Sequence, residues 1–314
     1  MHRLIKNQIS PYWVFSIFIF FLFLPFNFAL NLSATIDLPI ARLAIIGIFG
    51  LYLLWGLKEK KIIVDCRLRF WLLLFFLTFS SLTYLWAPDP FRAGRKILFL
   101  WSFLPIYLMT FSLTQVQAWQ EKLFKILSWS AFLAALFGLF FFFLQFIIGL
   151  DPTLNIIGKY LAPFFLGQNF SETVLAFPSW LVNIGGITLL RAFGSFPDPH
   201  LFALYLNLTL PLPLFLYLKN SQKKYLFLTG IILLASLLTF SRAAYLSLIV
   251  GLGSFLFFNN PIQLVKKKFL LVGLTLTGIV LFFIFPNPLT DRLFSSFNLT
   301  EGSNQGRLAM WQAG

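Results

Sequence analysis

The sequence predicts an all-α fold, a polytopic bundle of about nine membrane-spanning helices with its N-terminus in the cytoplasm. Three observations predict it. The 314 residues are 59% hydrophobic and only 11% charged, with 43 Phe, more apolar surface than one water-soluble core of this length hides. The apolar residues fall in runs of transmembrane length. The Lys and Arg residues, which give a net charge of +14, cluster in the short stretches between those runs, where they act as topology signals. In a soluble chain such a charge would suggest nucleic acid; here the lipid bilayer is the expected partner and nucleic acid is not. Cys66 is the sole cysteine, so an internal disulfide and a cysteine metal cluster are excluded. Two histidines argue against a histidine-built metal site, and no cofactor is expected.

In chain order, Arg3 and Lys6 precede a first apolar run, Tyr12 to Leu30. It reads as a signal anchor rather than a cleaved signal peptide, being too long for a signal core and carrying Pro25 without a small-x-small cleavage site. A second run, Leu38 to Leu57, holds Arg42 one turn inside its outer end, from where the side chain can reach the interface. KEKKIIVDCRLR, Lys58 to Arg69, is the most basic loop and marks the cytoplasmic side. Phe70 to Ala87, Ile97 to Thr114 and Ile126 to Leu150 are the third to fifth runs, separated by APDPFRAGRK and QVQAWQEKLFK. Asp151 to Pro199 is a long connection of mixed character, too aromatic for disorder and of a length usually kept for function. Leu201 to Leu218 is the sixth run.

Tyr225 to Phe258 would be about 51 Å long as one helix, against a hydrocarbon core of about 30 Å. Both flanks are basic, so two short spans are predicted, meeting at Ser241 and Arg242 with Arg242 at the tip. Phe269 to Phe285 is the ninth run. In this arrangement 15 Lys and Arg lie in cytoplasmic segments and 8 in outer ones, the expected inside bias. Arg191, Arg242 and Arg307 all fall on the outer face. The predicted organisation is a five-span region over residues 1–150, an outer loop and elbow over 151–200, spans six to nine over 201–285, and the start of a large periplasmic loop over 286–314.

The chemistry-bearing stretch is RAFGSFPDPHLFALY, Arg191 to Tyr205. Gly194 and Ser195 break a helix, and Pro197 and Pro199 push the residues before them out of the α region, making an elbow just before an apolar span. An arginine fork binds phosphate bidentately and keeps its charge, so Arg191, Arg242 and Arg307 suit a lipid-linked phosphate or diphosphate. The plainer reading of Arg242 is that it stops translocation of the hairpin and snorkels to headgroups; that of Arg307 is a solvated loop residue. Asp198 and His200 have the chemistry to accept a proton, though Asp198 also reads as the cap of a helix that begins at Pro199, with His200 in its first turn. Glu172 is a further candidate. Trp86, Trp180 and Trp311 read as interface anchors more readily than as sugar platforms. Arg191, Arg242 and Arg307 are therefore the candidate catalytic residues, and Asp198, His200, Ser241 and Trp311 the candidate substrate-binding ones.

RAFGSFPxP followed by FALYL, then LLTFSRAAYLSLIVG, then GSxxGRLAMWQA resembles, in order, the O-antigen ligase and polymerase family over roughly Arg191 to Gly314. The resemblance implies a C-type glycosyltransferase-like enzyme of the bacterial inner membrane. Its donor would be a polyprenyl-diphosphate-linked glycan, and its acceptor lipid A core, another glycan or protein. It implies that Arg191 and Arg242 hold the departing diphosphate, with Arg307 assisting, and that no metal is needed. Where the family usually reads His-Pro-Asn or Asn-Pro-Asn at the elbow, this chain has Asp198, Pro199 and His200. The family's candidate base, a histidine of the large outer loop, would lie beyond Gly314, so the resemblance also implies a fragment. A polysaccharide polymerase is the alternative within enzymes. A small-anion transporter is the alternative outside them, and it would be expected to show an internal repeat; none is found.

Overall fold

The computed structural model describes residues 11–33, 36–60, 67–176, 179–184, 186–258 and 312. The predicted ninth run, Arg307 and Trp311 lie outside the described residues. The chain is mostly helical, and two compact units divide it at residues 126 and 127. Five helical stretches are long and apolar enough to cross a membrane: Ile40–Lys58, Leu68–Trp86, Pro90–Thr114, Gln117–Ile148 and Pro199–Asn220.

In the first unit, α1 (Pro11–Phe23) is shorter than the predicted first run. The chain turns at Pro25, where the missing N–H and the ring stop a helix, and Ala29–Ser33 becomes β1, paired antiparallel with β2 (Ile36–Pro39). α2 (Ile40–Lys58) packs against α1 through Trp13 and Tyr52, rings 5.0 Å apart edge to face and both wholly buried. Edge-to-face geometry places one ring's positive rim on the other's negative face. α3 (Leu68–Leu82) ends in the 3-10 turn Thr83–Trp86. The separating stretch APDPFRAGRK starts α4 (Pro90–Trp101) at its second proline, with Asp89 capping it by accepting from the Arg92 N–H at 3.0 Å. α5 (Phe103–Thr114) follows after a one-residue break at Ser102, three residues before Pro105, whose ring and missing N–H disrupt the preceding helical turn. The Tyr52 hydroxyl bonds Ser112 of α5 at 2.9 Å, and Trp101 donates to Ser81 across α4 and α3. Arg42 lies over the Phe99 ring of α4, 5.0 Å from its centroid. Its cation thus faces an aromatic π-surface.

α6 (Gln117–Ile148) takes in most of the polar QVQAWQEKLFK stretch, because Gln, Glu and Lys are good helix formers wherever the backbone is already helical. Its 32 residues make it about 48 Å long, more than a bilayer core requires. The connection of mixed character is built of short elements: α7 (Leu150–Ile156), a π-helical turn (Ile157–Leu161), α8 (Ala162–Leu166), α9 (Gln168–Ala176), then a hairpin of β3 (Leu181–Ile184) and β4 (Ile187–Leu190). These two hairpins are the departure from an all-α fold. Each pairs the backbone groups of its two strands with one another, without a further helix. α10 (Pro199–Thr209) and α11 (Pro211–Asn220) form one apolar stretch. The 34-residue run splits into α12 (Lys223–Leu237) and α13 (Arg242–Phe258), with the break at Leu238 to Ser241.

The core of the second unit gathers α6, α10, α12 and α13 around Phe202, Leu206, Ile232 and Phe240. Ala131, Ala134, Ala135 and Gly138 leave one face of α6 low. A Cβ on Gly138 would stand 2.8 Å from the Phe202 ring, so glycine is what lets α10 come this close. Asn207 ties three helices together. Its side-chain amide donates to Ala244 O at 2.9 Å and to the Ser247 hydroxyl, and its carbonyl accepts from the Ser236 hydroxyl. A polar side chain among apolar helices is kept where its groups are satisfied in this way.

Candidate functional site

Three segments of the second unit meet: the β3–β4 hairpin, the elbow at residues 191–200, and the turn between α12 and α13. Gln145 of α6 anchors the first. Its side-chain carbonyl accepts from Leu190 N–H at 2.7 Å and its amide donates to Leu190 O at 3.0 Å. This fixes the end of β4, and so the residue that follows it. Arg191 N–H donates to Trp180 O, and Ala192 N–H donates to Leu238 O.

The Arg191 side chain is 4% exposed. Its Nε donates to Thr239 O at 2.7 Å and its Nη1 to Ser179 O at 2.9 Å. Thr239 and Leu238 lie just past the end of α12, where helical carbonyls have no partner of their own and a positive charge is favoured. Gly194 turns the chain at φ +62°, a left-handed conformation that glycine adopts without a Cβ clash. The Trp180 ring stacks on Phe193, centroids 4.7 Å apart and 6° from parallel, and its Nε1 donates to Pro197 O. Trp180 is 1% exposed, so it is neither an interface anchor nor a sugar platform; its ring is the floor on which the elbow folds.

Asp198 caps α10. One carboxylate oxygen accepts the His200 N–H and the other accepts the Ser179 hydroxyl at 2.8 Å. Pro199 occupies the first helical position, where its missing N–H costs nothing. His200, exposed in the first turn, has Nδ1 2.6 Å from the Ser241 hydroxyl oxygen, and Ser241 is buried. The hydrogen bonds therefore close a ring: Arg191 to Thr239, along the backbone to Ser241, to His200, to Asp198, to Ser179 and back to Arg191. Phe240 sits inside this ring at φ +47°. A left-handed backbone costs an L-residue roughly 1–2 kcal/mol, and here the Phe240 side chain is buried near Phe142.

Arg242 is the first residue of α13 and is 9% exposed. Its backbone thus opens a helix, whose first N–H groups and positive dipole end favour an anion. Of the candidates named from sequence, Arg191, Asp198, His200 and Ser241 come together in this ring and Arg242 follows Ser241 in the chain; Arg307 and Trp311 lie outside the described residues. Glu172 is exposed on α9 and takes no part in the ring. Among the described residues, no three His, Cys, Asp or Glu side chains gather as a metal site. Sequence reasoning missed Ser179 and Thr239: both lend Arg191 a backbone carbonyl, which leaves no mark in side-chain identity, and the Ser179 hydroxyl reaches Asp198 from 19 residues away. It also passed over Gln145, whose polar side chain inside an apolar run was a usable signal.

A family model described as O-antigen ligase matches residues 226–314, which include Ser241 and Arg242. No curated protein and no solved structure matches the chain.

Proposed function

Because residues 226–314 carry the pattern of the O-antigen ligase family, we propose that this multi-pass membrane protein transfers a glycan from a polyprenyl-diphosphate carrier to an acceptor hydroxyl at the periplasmic face. The observation that carries the reading is Arg242, a cation at the start of a helix within the matched segment, next to Ser241, whose hydroxyl oxygen lies 2.6 Å from His200 Nδ1. In the reaction the acceptor oxygen attacks the anomeric carbon. The bond from that carbon to the diphosphate oxygen breaks, and the electron pair leaves with the diphosphate. The hydroxyl's proton passes to a base, the role that the resemblance gives to a histidine of the outer loop. Charge grows on the leaving diphosphate as this happens. A guanidinium fork reinforced by a helix dipole lowers the barrier by meeting that charge where it develops. Arg307 adds a second cation from the outer loop, and Trp311, four residues after it in the chain, an apolar wall for the donor. Nine spans, an inner-membrane location and a lipid A core or other glycan acceptor complete the proposal; a polymerase would perform the same bond exchange on a growing glycan.

The test is transfer by reconstituted protein given a polyprenyl-diphosphate-linked oligosaccharide. Arg242→Ala is expected to lose about 10²-fold or more in kcat, as removal of a preorganised charge partner does. Arg242→Lys recovers part of it, since lysine keeps the charge without the fork. Undiminished turnover by Arg242→Ala removes Arg242 from the reaction.

A further inference from the structure

Away from the elbow, α3 and α4 of the first unit carry a group of cations on a surface that the protein leaves open. Leu77 is the one buried residue of α3, and α4 has none. Tyr84, Trp86 and Phe91, where the two helices join, are exposed, and such rings settle at the headgroup level of a bilayer. Arg92, Arg95, Lys96 and Phe99 follow at i, i+3, i+4 and i+7 of α4, which is one helix face. Asp89 pairs with Arg92 at 3.0 Å; among the described residues, Arg95 and Lys96 have no carboxylate partner. A further cation joins them from α2, since Arg42 lies over the Phe99 ring and the Arg95 charge acts on it. Like charges gathered in a partly buried place repel, and an anion set among them turns the repulsion into attraction. Between α3 and α4 runs a groove of about 400 Å³, the size of many ligand sites. Its α3 wall passes from Phe76 and Phe79 to Ser80 and Thr83 toward the Trp86 end, and α4 adds Lys96 and Leu100.

We propose that this groove, with Arg42, Arg95 and Lys96, is a site for an anionic glycerophospholipid of the surrounding bilayer. The lipid phosphodiester meets Arg95 and Lys96, with Arg42 as a third cation, and one acyl chain lies along Phe76, Phe79 and Leu100. Arg42 and Arg95 each lie over a ring, 5.0 Å from the centroids of Phe99 and Phe91, and a guanidinium so placed keeps its in-plane N–H groups for an oxygen ligand. Charge complementarity selects the headgroup, because a zwitterionic lipid brings its own cation to a place that already holds three. The apolar wall selects a lipid over a free phosphate, which has nothing to lay against it. Bilayer lipid is also the anion at hand, because basic side chains at headgroup level draw acidic lipids. The site lies wholly in the first unit and does not depend on the transferase reading.

The experiment is native mass spectrometry of the full chain in detergent, titrated with dioleoyl phosphatidylglycerol or dioleoyl phosphatidylcholine. Wild-type protein is expected to hold phosphatidylglycerol about tenfold or more tightly than phosphatidylcholine. Each cation removed is expected to cost about fivefold for the anionic lipid alone. Arg42→Gln combined with Arg95→Gln should therefore bring the two lipids close together. If that variant does not insert, Arg95→Gln combined with Lys96→Gln must do so. Ala93→Phe fills the groove and leaves the cations, so it should weaken both lipids. Lys125→Gln, at an exposed basic position of α6, should change neither. Equal wild-type binding of the two lipids overturns the proposal, and so does undiminished binding by Ala93→Phe. A loss in Lys125→Gln as large as in Arg95→Gln also overturns it, since the attraction is then diffuse. Displacement of phosphatidylglycerol by glycerol phosphate, or by polyprenyl diphosphate at lower concentration, overturns the assignment to a glycerophospholipid.

Discussion

Asp198 uses its two carboxylate oxygens for two different segments, one for its own helix and one for the Ser179 loop. Alanine removes both acceptors, and the lost cap with the stranded hydroxyl is expected to cost about 1–3 kcal/mol. Asparagine keeps an acceptor for the His200 N–H, so thermal unfolding of Asp198→Asn should fall closer to wild type than that of Asp198→Ala. Equal melting temperatures for the two variants would mean that the cap is not what the carboxylate supplies. The cap itself was legible in the sequence, because Asp followed by Pro before an apolar run is a local signal. The partner Ser179 was not, because it lies 19 residues away and nothing local marks it.

At the scale of elements, the approach of α10 to α6 depends on two glycines facing one aromatic ring. Gly138 would place a Cβ 2.8 Å from Phe202, and Gly194, at φ +62°, would place one 3.0 Å from the same ring. Phe202 is wholly buried, so its ring has no open side to swing toward. Gly138→Ala is expected to destabilise by about 1–3 kcal/mol through overpacking. Adding Phe202→Leu should recover part of that loss in a denaturation series, because the smaller side chain vacates the contested space. A double variant no better than Gly138→Ala alone would place the clash elsewhere. The elbow therefore owes its position to a low face on α6 as much as to its own prolines. Gly194 was readable as a turn residue, but Gly138, in the middle of an apolar run, became meaningful only once its neighbour was known.

Across the whole molecule, the basic segments assign sides to the helix ends. Ser221, exposed in the KNSQKK stretch after α11, is predicted to face the cytoplasm, and Thr188, exposed on β4, the opposite side. With Cys66 replaced by Ser, a cysteine at 221 should react with a membrane-impermeant maleimide only after the inner face is opened. One at 188 should react in intact spheroplasts. Labelling of both from one side would undo the proposed topology.

The sequence by itself determined that the chain is a multi-pass membrane protein, where most helices run, that the residues 225–258 stretch must break near Ser241, and which side chains carry charge near that break. Those properties follow from hydrophobicity, length and turn chemistry, which act over a few residues. Tertiary structure decided where each charged group sits. Arg191 and Arg242 are alike as residues, and only packing puts one at the negative end of α12 and the other at the positive end of α13. The closed ring that separates their surroundings runs through backbone carbonyls and contacts up to 48 residues apart. Such contacts arise when helices pack, and no local pattern in the chain records them.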